Sequence, residues 1–195
     1  MPRQENQMNA EVLLSIAVGI GLASACGFRV FVPLLVVSIA SLSGHLILSP
    51  GFEWLGSFAS LFAFGAATIF EIAGYYIPWF DHLLDIIATP AAVVAGTIVM
   101  ASAVFGMSPL LHWSLAIIAG GGLAGLIQVF TGLTRLTSSA TTGGLGNPLV
   151  STVEAGGSIT LSILAIVLPF VAAAIVLFVV TFAVRFLYKK IIQPT

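Results

Sequence analysis

The sequence predicts an all-α polytopic membrane protein, folded as a compact bundle of about five helical segments. The first observation behind this class is composition: 59% of the 195 residues are hydrophobic and only 7% are charged, with a mean hydropathy of +1.16. Soluble domains typically carry about 25% charged residues. The second observation is length, since several apolar stretches reach the roughly 20 residues that a helix needs to cross a bilayer. They are far longer than the roughly ten-residue alternating strands of a membrane barrel.

Five apolar segments follow one another along the chain. They are segment A (12–48), segment B (54–80), segment C (83–107), segment D (110–133) and segment E (159–187). A polar tail (1–11) precedes them, and a Thr/Ser/Gly-rich loop and helix start (134–158) separates D from E. We therefore expect a single integral membrane domain over residues 1–195.

Segment A is longer than one straight span requires, and it contains Arg29 and Pro33. It is either one tilted, kinked helix or two pieces broken near Gly27–Pro33. A break suits Arg29, because irregular backbone at membrane depth is tolerated where it is buried or lines a cavity. Segment B is better framed, since Trp54 and Trp79 are spaced to lie near the two membrane interfaces.

The charges near the end of segment E predict its orientation. Arg185, Lys189 and Lys190 cluster there, and the positive-inside rule places that end in the cytoplasm. Pro169 within the same segment predicts a kink. Five simple spans put the N-terminus outside, whereas a helical hairpin in segment A puts it inside.

Segments A and D share a faint internal repeat. Gly19-Ile-Gly-Leu-Ala23 precedes Arg29, and Gly120-Gly-Gly-Leu-Ala124 precedes Arg135. Five simple spans would set the two segments in opposite orientations, as in inverted-repeat transporters. An inverted repeat is therefore one of the architectures left open.

Small residues recur at four-residue spacing on three segments. They are Gly19, Ala23 and Gly27 in A, Ala88, Ala92 and Gly96 in C, and Gly121 and Gly125 in D. Such faces let helix backbones approach closely. They predict tight packing in the bundle, and they also offer a seam for a homo-oligomer.

Net charge and cysteine content exclude several classes of function. The formal net charge of −1 leaves no basic patch for nucleic acid. The single cysteine, Cys26, excludes an internal disulfide and a cysteine-based zinc site. No cofactor is expected, and the metal content is left unknown.

Charged residues within or beside the apolar segments are the main candidates for a functional site. A charge at the bilayer centre costs at least about 2.5–3.5 kcal/mol, so it persists where it pairs, lines a water-filled cavity or performs chemistry. Six of the thirteen acidic and basic residues are placed in this way: Arg29, Glu71, Asp81, Asp85, Arg135 and Glu154. We interpret them as candidates for a binding site or ion pathway.

Local patterns offer simpler explanations for some of these charges. Asp81 fits a solvated helix N-cap, and Glu154 fits a capping box with Ser151. Glu71 has the alternative of a buried ion pair with Arg29 or Arg135. Arg29, Glu71, Asp85 and Arg135 resist explanation as turn or cap residues, and we expect them to converge on one intramembrane polar pocket.

The polar stretch between D and E is a second candidate. It supplies Thr141, Thr142, Gly143, Gly144, Gly146 and Asn147. Glycines permit positive φ, so successive N–H groups can form an anion-binding nest. Exposed carbonyls and hydroxyls suit a cation equally well, and a flexible surface loop is the plain alternative. Asn147-Pro148 predicts the start of the next helix, and we expect Gly143–Pro148 to join the polar pocket.

Three stretches carry a resemblance to a known family. They are Gly27–Pro33, the stretch from Glu71 through Asp81 and Asp85 to Pro90, and Thr141–Pro148. Together the chain resembles a family of small bacterial integral-membrane proteins catalogued as a domain of unknown function. The resemblance implies a multi-span fold, and we expect a bacterial inner-membrane location. It implies no catalytic residues.

Three hypotheses about function remain. The first is a small transporter or channel, whose charged site moves or is coupled to a cation or proton. The second is a membrane-embedded enzyme or lipid handler that uses carboxylate-bound Mg²⁺, although the sequence leans against an enzyme. The third is a structural subunit of a membrane complex. The expected partners are the lipid bilayer and a small ion or solute.

Overall fold

Helices account for nearly all of the described chain. The computed structural model describes residues 2–77 and 80–192, with side chains for 8–77, 84–182, 184 and 185. The helices are α1 (Pro2–Cys26), α2 (Phe31–Leu42), α3 (Phe58–Gly74), α4 (Phe80–Ala103), α5 (Pro109–Leu115), α6 (Gly122–Thr142), α7 (Asn147–Val167) and α8 (Pro169–Ile192). A π-helical stretch, Ala116–Gly121, joins α5 to α6. The described residues contain no strand, and the prediction of an all-α fold is confirmed.

Four stretches of helix are long and apolar enough to cross a membrane. They are Met8–Cys26, Leu84–Ala103, Pro109–Thr142 and Asn147–Val167. Shorter apolar helices cover Phe31–Leu42, Phe58–Gly74 and Pro169–Phe182. The outward surface is largely apolar, as a helix bundle in contact with lipid requires. Together these features are those of an integral membrane protein.

Segment A is a pair of helices with a break at residues 27–30. The turn begins where the N–H of Gly27 donates to Ser24 O at 3.1 Å, and Pro33 lies in the first turn of α2, where its missing N–H is tolerated. Gly27 is needed for packing, since a Cβ there would lie 2.6 Å from the carbonyl oxygen of Ala124. The prediction of two pieces is therefore the correct one of the two alternatives.

Contacts along the bundle set the helix directions. Met100, near the end of α4, lies beside Gly19 of α1. Gly106, just after the end of α4, lies beside Val12 of α1. Met100 also lies beside Gly120, and Gly96 beside Ala124. Helices α1 and α6 are therefore both antiparallel to α4 and parallel to each other. The inverted orientation of segments A and D that five simple spans require is therefore not found between α1 and α6, because the chain reverses direction at the break in A.

Segment E is also divided. The backbone leaves the helical region at Leu168, where φ is −135° and ψ is 67°. Pro169 has no N–H to donate to the carbonyl of Ala165, so helix α7 ends there. Helix α7 runs antiparallel to α1, since Ser158 donates to Ala25 O at 3.0 Å whereas Arg29 reaches Ser151. Segment E thus combines the second half of α7 with most of α8.

The small-residue faces pack inside the chain. Gly96 and Gly120 allow α4 and the π-helical stretch to touch, and a Cβ at Gly96 would lie 2.5 Å from that of Ala124. Gly121 and Gly125 face Val93 in the same way. This packing occupies the faces that the sequence offers to a second copy. Cys26 is fully buried in the apolar core, where its side chain packs against other apolar residues.

Candidate functional site

Five charged side chains from five parts of the chain meet beside the break between α1 and α2. We call Arg29, Glu71, Asp85, Arg135 and Glu154 the charged cluster; they come from the α1–α2 break and from α3, α4, α6 and α7 respectively. Arg29 is 1% exposed, Arg135 3% and Glu154 4%. The side chain of Asp85 is 23% exposed, so it lies at the edge of the cluster.

Glu71 caps the start of α2. One carboxylate oxygen accepts the N–H of Val30 at 2.7 Å, and the other accepts the N–H of Phe31 at 3.0 Å. These groups lie at the N-terminus of α2, where no local side chain acts as a cap. A carboxylate is favourable there, because a helix N-terminus carries partial positive charge. The alternative of an ion pair is wrong, since the direct bonds of Glu71 run to the backbone.

Arg29 has a single acidic neighbour within ion-pair distance in the described structure. Its Nη2 donates to Ser151 at 2.9 Å (carbonyl oxygen) and 2.5 Å (Oγ), and lies 3.4 Å from Glu154 Oε2. Its Nε and Nη1 are buried without a hydrogen-bond partner among the described residues. Arg29 is thus partly satisfied, which is unusual for a buried charge.

Arg135 contacts two carboxylates. Its Nε donates to Glu154 Oε1 at 3.2 Å and its Nη2 donates to Glu154 Oε2, which is a bidentate pair. Its Nη1 donates to Asp85 Oδ1 at 2.5 Å. Arg135 therefore links α4, α6 and α7.

Tyr75 lies against both arginines. The guanidinium carbon of Arg29 is 3.9 Å from the centroid of its ring, and that of Arg135 is 3.8 Å away. Cation–π contacts at this distance are worth about 2 kcal/mol or more when desolvated. We did not predict this role for Tyr75, although its position one helical turn after Glu71 was the available signal.

Each central group of the cluster is shared. Glu154 contacts both arginines, and Arg135 contacts both Glu154 and Asp85. Two guanidinium groups and three carboxylates sum to −1 when all are ionised. Removing one partner of a buried ion pair typically costs about 3–5 kcal/mol, because the remaining charge is left uncompensated. The cluster can therefore change its pairing when one acid loses its charge.

The sequence left two alternatives for Glu154, a place in the site or a capping box with Ser151. Both residues lie inside α7, beyond its first turn, and Ser151 accepts from Arg29 rather than from the backbone at the helix start. The capping-box prediction is wrong, because tertiary contacts use both side chains. Asp81 was predicted as part of the site or as a cap, and its side chain lies outside the described residues.

The Thr/Gly-rich stretch is a tight turn between two helices. Helix α6 continues to Thr142, Gly143 and Gly144 have φ of 64° and 89°, and α7 starts at Asn147. The stretch 134–158, predicted as a loop followed by a helix start, is therefore mostly helical, because α6 extends further than expected. Thr141 and Thr142 are exposed, and their hydroxyl groups donate to backbone carbonyls of α6. The N–H of Gly146 donates to the Thr142 hydroxyl, and the side-chain amide of Asn147 donates to the Ser139 hydroxyl. These contacts tie the turn to α6, and the expected convergence on the cluster is not seen among them.

A metal site receives no support from the described side chains. They contain no group of three or more His, Cys, Asp and Glu residues arranged to hold a metal ion. Asp85, one of the carboxylates that could serve such a site, pairs with Arg135.

The comparisons with known proteins identify a family without an assigned activity. A family model described as a domain of unknown function (DUF4126) matches residues 16–189. The matched range contains every residue of the charged cluster. No curated protein and no solved structure gives a significant match to the chain.

Proposed function

The chain belongs to the DUF4126 family, and we propose that it is a small membrane transporter or channel whose charged cluster responds to a proton or small cation. The observation that carries the proposal is the meeting of two arginines and three acids from the α1–α2 break and four helices. Intramembrane ionisable groups of this kind mark ion pathways and proton relays more often than they serve packing. The bacterial inner membrane is the location we propose.

The unequal charge count supports the response to a cation. The acids outnumber the guanidinium groups by one, so one proton or one monovalent cation neutralises the cluster. Glu154 is the sensitive position, since it contacts both arginines. Neutral Glu154 leaves Arg135 with Asp85 and leaves Arg29 with Ser151 alone. The pairing then changes at a point where α6 and α7 meet.

The break in segment A supports a movable site. Helix α2 has 12 residues, too few to cross a bilayer, and it starts at the cluster. Its N-terminus is held by Glu71 from another helix. Transporters place their sites at such discontinuous helices, where helix ends supply charge.

A buried polar stripe on α7 leads away from the cluster. Ser151, Glu154, Ser158 and Ser162 share one helical face and are each at most 4% exposed. The Ser162 hydroxyl has no hydrogen-bond partner among the described residues, and neither does that of Ser24 on α1. Buried hydroxyls normally find partners, and water supplies them where the protein does not. The stripe is the route we propose for a proton or hydrated ion.

Flux through reconstituted protein tests the proposal. Purified protein in liposomes with an entrapped pH-sensitive dye receives a pH step, and parallel vesicles receive Na⁺ or K⁺ gradients. We expect flux above that of empty vesicles, and a fall of roughly tenfold or more for Glu154→Gln, because both arginines lose their shared partner. Glu53→Gln is the matched control, since Glu53 is exposed and its carboxylate accepts the N–H of the neighbouring Gly51. Folded protein that moves none of these ions refutes the proposal.

One observation favours a structural subunit as the second candidate. Four of the five cluster residues are buried from solvent, and most of their charges are paired. A purely structural cluster predicts that Glu154→Gln lowers stability while wild-type protein shows no flux. The same vesicles and a thermal unfolding measurement separate the two candidates.

A further inference from the structure

We propose that a cavity at the opposite end of the bundle from the charged cluster binds an organic cation with an apolar body. A hydrophobic amine or a quaternary ammonium or phosphonium ion has this chemistry. The inference rests on observations of its own and does not depend on the proposed transport.

The cavity lies among helix ends. We call it the end cavity; it has a volume of about 400 Å³ and lies between α1, the segment after α2 and the ends of α4 and α7. Its wall includes Val18 of α1, Ala103 at the end of α4 and Val167 at the end of α7. Arg29 lies eleven residues beyond Val18, which corresponds to roughly 17 Å along a helix. The end cavity is thus separate from the charged cluster.

Size and wall chemistry fit a small organic molecule. Ligand pockets typically measure about 300–1,000 Å³ and are mainly apolar with a few polar groups. Leu14, Val18, Leu46, Ile47 and Phe105 supply apolar wall. An inorganic ion alone would leave these surfaces without a partner, so the ligand needs an apolar body.

The polar groups select a positive charge. Glu11 is the formally charged residue among those that line the end cavity, and it is exposed on α1. Of the other polar lining groups, Ser15 Oγ donates to Val12 O at 2.8 Å and His45 Nδ1 lies 3.0 Å from Ser43 Oγ, and neither side chain carries a formal negative charge. The exposed carboxylate of Glu11 is therefore the group available to a charged ligand.

The helix ends add to this field. Helices α4 and α7 both terminate at the end cavity, and a helix C-terminus carries partial negative charge. Pro169 cannot donate an N–H to continue the last turn of α7. The N-terminus of α8 at Pro169 also lines the end cavity and offsets the C-terminus of α7, so the carboxylate of Glu11 and the C-terminus of α4 are the groups that favour a cation over an anionic lipid headgroup.

Two probes of nearly equal size and opposite charge test the inference. Tetraphenylphosphonium and tetraphenylborate are each dialysed to equilibrium against the full-length protein in nanodiscs, and partitioning into empty nanodiscs is subtracted. We expect saturable binding of the phosphonium and none of the borate. Glu11→Gln should weaken phosphonium binding about three- to fivefold, the range of a partly exposed ion pair. Glu53→Gln should leave it unchanged.

A second pair of variants tests the place of binding. Leu14→Trp puts an indole on the cavity wall and should weaken binding more than tenfold. Leu13→Trp is the matched control, because Leu13 is 59% exposed and does not line the end cavity. Equal binding of the two probes, as expected if a lipid chain is the natural occupant, overturns the inference. So does absence of saturable phosphonium binding, or an equal effect of the two tryptophan variants in folded protein.

Discussion

Glu154→Gln is the sharpest test of the charged cluster as an energetic unit. The substitution keeps the shape of the side chain and removes the charge that both Arg29 and Arg135 contact. Losing one partner of a buried pair costs about 3–5 kcal/mol, and we expect the lower end, about 3 kcal/mol, because the Gln oxygen still accepts a hydrogen bond and Arg135 keeps Asp85. At about 2–4 °C per kcal/mol for a chain of this size, the expected fall in Tm is roughly 6–12 °C.

Thermal unfolding in detergent measures this shift, with Glu53→Gln as the exposed control. A double-mutant cycle with Arg135→Gln adds the decisive comparison. If Glu154 and Arg135 act as a pair, the double variant is less destabilised than the sum of the single variants, by about 1–3 kcal/mol. Additive losses, or a Tm for Glu154→Gln within the error of the Glu53→Gln control, would refute the energetic unity of the cluster.

Two further predictions concern neighbours of this pair. Glu71→Gln should destabilise the protein by about 0.5–2 kcal/mol, the usual cost of a lost helix cap, and hydrogen exchange at the amides of Val30 and Phe31 should accelerate; unchanged exchange there would count against the cap. Tyr75→Leu should cost about 4 kcal/mol through two lost cation–π contacts, whereas Tyr75→Phe should cost much less. Equal losses for the two Tyr75 variants would show that the ring face is unimportant.

The helical class was predictable because apolar length and backbone satisfaction leave few alternatives in a bilayer. The division of the apolar segments into separate helices was not predictable in the same way. Segments A and E each read as a continuous apolar run, yet Gly27–Val30 and Leu168–Pro169 divide them. Hydropathy averages over a window, so it does not register a break whose residues remain buried or apolar. Gly27 and Pro169 were visible signals, but each is also tolerated within a transmembrane helix.

Part of the candidate site was predictable because charged residues are costly in a membrane and therefore stand out in an apolar sequence. The cost of isolated charge in a membrane pointed to Arg29, Glu71, Asp85 and Arg135, and the structure brings these four side chains together. Glu154 was also a candidate, but Ser-x-x-Glu offered a helix cap as the alternative, and tertiary contacts with two arginines override that local pattern. Tyr75 carries no charge and leaves little trace in sequence, although its ring completes the packing of both guanidinium groups.

The charged cluster and the end cavity lie at opposite ends of the buried face of α7. The buried face of α7 begins with Ser151 and Glu154 at the cluster, continues through Ser158 and Ser162, and reaches Ile166 at the end cavity one turn later. A line of polar residues along one helix therefore runs from the charged cluster to within one turn of the end cavity. A merely structural cluster needs no such line, because its charges are paired where they lie. A transporter needs one, since an ion that leaves the cluster must find polar partners across the apolar interior.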